Sequence, residues 1–153
     1  MKSTLLILSF LLPYSAMCQS AQVSKKDSVK LELAINAVFK NFATPSYETF
    51  EKITMPELRC LICDDVKGFA RIKRTNFFNN HLKVLRTSDD WKKAAKGEKK
   101  VFIVENKEYS DVTAFITINE KHEISPGHEG AQLGLYFKRD KDEFKFAGIE
   151  SIP

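Results

Sequence analysis

Cysteine is scarce in this chain. There are three, and the first, Cys18, falls in an N-terminal segment that reads as a removable leader. The remaining pair, Cys60 and Cys63, is too small a set for a disulfide-built scaffold. Past the first dozen residues no apolar run approaches the roughly 18 residues of a membrane-spanning helix, which predicts a soluble mature chain. There is no G-x-S-x-G, and three histidines offer little support for a nucleophile triad. Internal repeats are absent, which excludes solenoids and propellers. Tryptophan occurs once, at Trp91.

What is present begins with "MKSTLLILSFLLPYSAMCQSAQ". Lys2 supplies a positive start, Leu5 to Leu12 form a short apolar core, and Pro13 breaks any helix. That pattern predicts a signal peptide over residues 1–22, cleaved between Cys18 and Gln22, and a secreted or periplasmic protein. A lipid anchor at Cys18 is the alternative, disfavoured because Met17 stands where Gly or Ala is wanted. Residues 23–153 then form one domain of about 130 residues, large enough to bury about two-thirds of its unfolded surface.

The formal charge is +4, unevenly spread. Residues 67–100 carry eleven Lys or Arg against three acidic residues, whereas 101–153 carry six against ten. A basic stripe often marks a nucleic-acid surface. Export argues against that, so an anionic small ligand or an acidic protein partner fits better. The plain alternative is a solvated helix face. Nothing requires a cofactor, and an oligomer is compatible with this composition.

"DSVKLELAINAVFKNF" places Leu31, Ile35, Val38, Phe39 and Phe42 on one helical stripe, with Asp27 or Ser28 as cap. "TPSYETFEKIT" predicts a second helix, capped by Thr44 with Pro45 at its first position and presenting Tyr47, Phe50 and Ile53. Pro56 then ends or redirects the chain. "KRTNFFNNHLKVL" predicts a third helix, capped near Thr75, with Phe77, Phe78, His81, Leu82 and Leu85 on its apolar side. "SDDWKKAAKG" is a further helical turn or two, capped by Ser88 and stopped near Gly97. Beyond it the period changes to two. "KVFIVEN", "DVTAFITIN", "AQLGLYFKR" and "EFKFAGIESI" read as strands, with a bulge or bend at Ala147 and Gly148 and a hairpin at "RDKDE". Helices gathered before an antiparallel meander indicate an α+β fold: N-terminal helices packed on a curved antiparallel sheet of four to six strands.

On the order of "DSVKLELAINAVFKNF", "TNFFNNHLKVL" and "LGLYFKRDKDEFKFAGI", the chain resembles the cone-shaped fold shared by the nuclear transport factor 2-like and cystatin-like superfamilies. The resemblance covers nearly the whole mature chain and implies a pocket between sheet and helices. That fold hosts isomerases, dehydratases and non-catalytic binders alike, so it implies no single activity. The end of the chain is also similar to small exported bacterial proteins of unassigned function.

Cys60 and Cys63 stand in C-x-x-C spacing. Leu58, Cys60 and Ile62 alternate with Arg59, Leu61 and Cys63 as in a strand, where residues three apart face opposite ways. Asp64 and Asp65 would raise a thiol pKa, against a redox role. Small apolar packing residues are the favoured expectation, a structural disulfide would need a turn between them, and zinc would need His81, His122 or His128 as further ligands. His81 is a candidate general base with Asp111 as partner, or else a core histidine. In "SPGHEG", His128 and Glu129 sit between glycines, where they either meet a ligand or face water. Trp91 with Lys92 and Lys93 would be an interface anchor if exposed; the small Ala94 and Ala95 beside it favour burial. The leading expectation is an exported, non-catalytic binding module for a small ligand or a protein partner. The alternatives are an isomerase- or dehydratase-type enzyme using His81 and Asp111, and a periplasmic inhibitor or immunity-type protein.

Overall fold

The structure, a computed structural model, describes residues 24–63, 71–103 and 110–152. The leader, Cys18, Asp64 and Asp65 lie outside them, as does the end of "KVFIVEN". Helix α1 (Lys25–Ala43) and helix α2 (Tyr47–Ile53) lead directly into strand β1 (Thr54–Cys60). After β2 (Arg71–Lys73), helix α3 (Arg74–Asn76) continues through a π-helical turn (Phe77–His81) into α4 (Leu82–Thr87). Helix α5 (Asp89–Ala94) and strands β3 (Lys99–Ile103), β4 (Val112–Asn119), β5 (Ala131–Asp140) and β6 (Glu143–Ile152) complete the chain.

Three helix starts differ from expectation. Ser24 caps α1, its hydroxyl accepting from the Asp27 N–H at 3.1 Å, one turn earlier than Asp27 or Ser28 would. Ser46 caps α2, so Thr44 and Pro45 lie before the helix and Thr44 closes α1 instead. Lys73, not Thr75, precedes α3, and no side chain caps that helix. It grows straight out of β2, so the strand fixes its start. Ser88 caps α5 as expected, accepting from the Trp91 N–H at 3.2 Å.

Six strands form one sheet in the order β2-β1-β6-β5-β4-β3. The β3–β4–β5–β6 run is antiparallel, but β1 pairs with β6 in parallel. The helical segment thus sends a strand into the sheet beside the last strand of the chain. Pro56 does not end the chain's course. It sits inside β1, where the pairing to β6 slips between Thr54 and Arg59 and a missing N–H costs little. The expected irregularity at Ala147 and Gly148 is present: Tyr136 faces Gly148 and Phe137 faces Phe146, leaving Ala147 as the extra residue. Such a bulge bends its strand and sharpens the sheet twist.

The helices cover one face of the sheet. Leu31, Ile35, Val38 and Phe42 of α1 are all buried in one cluster with the inward residues of the sheet, and α1 packs chiefly on β6. Phe42 is the hub. Its ring stacks on Trp91 and makes a T-shaped contact with Phe146, with centroids 4.5 and 5.9 Å apart. Phe50 and Phe77 stack nearly parallel at 5.9 Å beside it. Burying each such side chain contributes about 1.5–3 kcal/mol, so the aromatic cluster dominates the attachment of helices to sheet. No helix among the described residues is long and apolar enough to cross a membrane.

Candidate functional site

The π-helical turn positions the site. The Leu82 N–H donates to the Phe77 carbonyl, a five-residue step in place of the usual four. The extra residue lets Phe77 and Leu82 both reach the core, where they are 0% and 2% exposed. It also swings the following stripe, His81, Val84, Leu85 and Ser88, to one side. Single π turns of this kind recur at functional sites.

That stripe forms one wall of a cleft of about 440 Å³. Cys60, Ile62 and Cys63 form the opposite wall, with Phe77 and Leu133 as floor. Asn80, Ser88, Asp90 and Ser151 complete the lining. The chemistry is therefore an apolar floor with a few polar groups at the rim, the ordinary make-up of a small-molecule site.

Cys60 and Cys63 are bonded to each other, with Cα atoms 5.5 Å apart. This corrects the packing expectation. Strand β1 stops at Cys60, and Leu61 and Ile62 form a turn that brings the second sulfur back. The alternation across 58–63 predicts a continued strand, and the turn at Leu61 and Ile62 removes that geometry. A bonded pair has no thiolates to offer a metal, so the zinc expectation falls with it. Among the described residues no cluster of three or more His, Cys, Asp or Glu is placed to hold a metal.

The structure does not bring Asp111 to His81. Asp111 precedes β4 and its carboxylate accepts from the Arg139 N–H at 2.7 Å. Leu133, in the cleft, pairs with Ile116, five residues further along β4, or about 16 Å at strand spacing. The carboxylate that shares the lining with His81 is Asp90. In the sequence Asp90 stands in the first turn of α5, where a carboxylate suits the positive end of the helix, and no local signal marks it as a cleft residue.

Trp91 is 5% exposed and stacked on Phe39 and Phe42, so it belongs to the core and is not a surface anchor. Lys92 and Lys93 are exposed but engaged: Lys92 with Asp89 at 2.8 Å, Lys93 with Glu123 at 3.7 Å and with Asn119. Arg74 with Glu51 and Lys100 with Glu98 add further pairs. The basic stripe of the sequence is thus partly neutralised in space. His128 and Glu129 serve their own loop. The His128 Nδ1 accepts from the Gly130 N–H at 3.0 Å, and Glu129 pairs with Lys121 at 3.0 Å. His122 does the same for Gly127.

Other recesses are lined by described residues. One of about 390 Å³ lies between α1, α2 and the β5–β6 hairpin, lined by Leu33, Ala34, Ile53 and Phe144 under a mixed-charge rim. Another of about 300 Å³ carries Arg59, Arg71 and Lys138 beside Glu57. On the far face of the sheet Tyr136 is buried against Glu150, with the Arg59 guanidinium 5.4 Å from its ring centre. Burial, then the hydrogen bond to Glu150, hold the phenol well above its usual range.

No protein-family model and no curated protein matches the chain. Among solved structures it is similar to an NTF2-like designed protein, at 13% identity and TM-score 0.43, covering 82% of this chain and 99% of that one. It is also similar to an uncharacterized protein with a cystatin-like fold from Caulobacter vibrioides, at 17% identity and TM-score 0.44, covering 81% and 87%. Likenesses at this level concern the fold alone.

Proposed function

We propose that this chain is an exported binding module that takes a small, largely apolar ligand into the cleft beside the Cys60–Cys63 bond. The observation that carries this is the cleft itself. Its volume of about 440 Å³ lies in the ordinary range for ligand pockets, about 300–1,000 Å³. Its floor is hydrocarbon and its polar groups stand at the edge. The leader-like N-terminus and the disulfide together support export, since such bonds persist in oxidising compartments. The test is titration with a neutral fluorophore such as N-phenyl-1-naphthylamine. Saturable binding is expected, and Leu85→Trp, which fills the cleft, should abolish it. Binding unaffected by Leu85→Trp would place the ligand elsewhere.

A second reading rests on His81, a half-buried imidazole in the same lining as a carboxylate. It makes the chain an isomerase- or dehydratase-type enzyme with His81 as proton carrier. Turnover of ester, lactone or ketosteroid substrates, lost in His81→Ala, would establish it. The inhibitor-type reading has less support, because the internal ion pairs leave the basic stripe less charge to steer a partner.

A further inference from the structure

The cleft has a sign. Among the described residues of its lining, Asp90 is the only side chain of fixed charge, and no Lys or Arg is present. Basic residues are close in sequence but turned away. Lys83 and Arg86 fall on the opposite side of α4 from Val84, Leu85 and Ser88, and the Arg86 guanidinium donates to the Ala43 carbonyl on α1. Lys92, one turn along α5, is held by Asp89. Among the described residues the Asp90 side chain has no ion-pair or hydrogen-bond partner. Asp90, an exposed residue, lines the apolar cleft, with Val84, itself 70% exposed, in the same lining.

We infer that the cleft selects apolar molecules bearing a cationic head, such as a protonated alkylamine, with the tail against Phe77 and Leu133 and the ammonium on Asp90. This rests on the cleft being the binding site, and it reverses the anionic-ligand expectation drawn from the basic stripe. A carboxylate head would meet Asp90 with like charge. An ammonium head would meet Asp90 with opposite charge. Because Asp90 is exposed, the preference is modest, about fivefold over a neutral head at low salt.

The experiment displaces N-phenyl-1-naphthylamine from the full protein with octylammonium, octanol and octanoate, whose tails match, at low ionic strength and in high salt. Octylammonium is expected to act at about fivefold lower concentration than octanol, with octanoate weakest. The order should collapse in Asp90→Asn and in high salt, and persist in Asp90→Glu. Octanoate equal to or better than octylammonium, or an order indifferent to Asp90→Asn, overturns the inference while leaving the cleft reading intact. Failure of the fluorophore to bind at all overturns both.

Discussion

Trp91 lies flat on Phe42, ring centroids 4.5 Å apart and planes 25° from parallel, with Phe39 on its other contact at 4.7 Å. The sole tryptophan is therefore the clasp that holds α5 to α1. Trp91→Ala is expected to cost about 3–5 kcal/mol of stability, as for other large core truncations. Trp91→Phe should cost less than half of that. Denaturant unfolding of both variants measures it. An interface anchor would instead lose stability in neither.

Gly148 admits no side chain. A β-carbon there would lie 2.1 Å from the Arg59 carbonyl oxygen, because the parallel β1–β6 pairing brings the two backbones together at the bulge. Gly148→Ala must therefore separate the strands, at a cost of about 3 kcal/mol or more. Gly127 is the control: its φ is +86° but nothing lies within 4 Å, so Gly127→Ala should cost about 1 kcal/mol. Thermal melts of the two variants rank them.

The bond between Cys60 and Cys63 closes a very short loop. Chain-entropy arguments for so short a loop give about 2 kcal/mol of stabilisation. Thiol labelling of the folded protein should leave both residues unmodified until a reductant is added. Reduction should lower the denaturation midpoint and loosen one wall of the cleft, weakening fluorophore binding. Labelling of either cysteine without reductant would restore the packing interpretation.

The helical half of this fold was legible because one period governs it. Leu31, Ile35, Val38 and Phe42 are spaced for a single stripe, and all four are buried. The bulge at Ala147 was legible because alternation visibly breaks there. Three features were hidden for physical reasons. The turn at Leu61 and Ile62 contains no Gly, Pro, Asn or Asp, so nothing in its composition marks it. The parallel β1–β6 pairing joins residues about ninety apart, where local pattern carries no information. The π turn needs one extra residue within an otherwise regular apolar stripe, and only packing on both sides of Phe77 and Leu82 decides it. Since the cleft depends on the first and third of these, the site was the least legible part. His81 does line the cleft, and the carboxylate that shares its described lining is Asp90, with Asp111 held by the Arg139 N–H instead.

Asp27 and Tyr136 give the stability pH signatures of opposite sense. Asp27 pairs with Arg139 at 2.9 Å, and that hydrogen bond, then one from Ser24, hold its carboxyl below the ordinary range. A depressed folded pKa contributes stability that is present above the unfolded value and lost as pH falls through the folded one. Asp27→Asn should therefore weaken the protein at neutral pH and matter less in acid. Tyr136 has the opposite sense. Its raised pKa contributes stability that is full below the unfolded phenol value near 10 and lost as pH rises beyond it. Absorbance titration should show Tyr136 ionising only as the chain unfolds in alkali. Ionisation of every tyrosine near the ordinary value, with the fold intact, would contradict its burial.

The central claim is that the hollow between the π-helical turn and the Cys60–Cys63 bond receives a ligand. Chemical-shift mapping during titration with N-phenyl-1-naphthylamine tests it most directly. Saturable shifts confined to Ile62, Phe77, His81, Leu85 and Leu133 are expected. Shifts centred instead on Leu33, Ile53 and Phe144, or none at saturating probe, would contradict it.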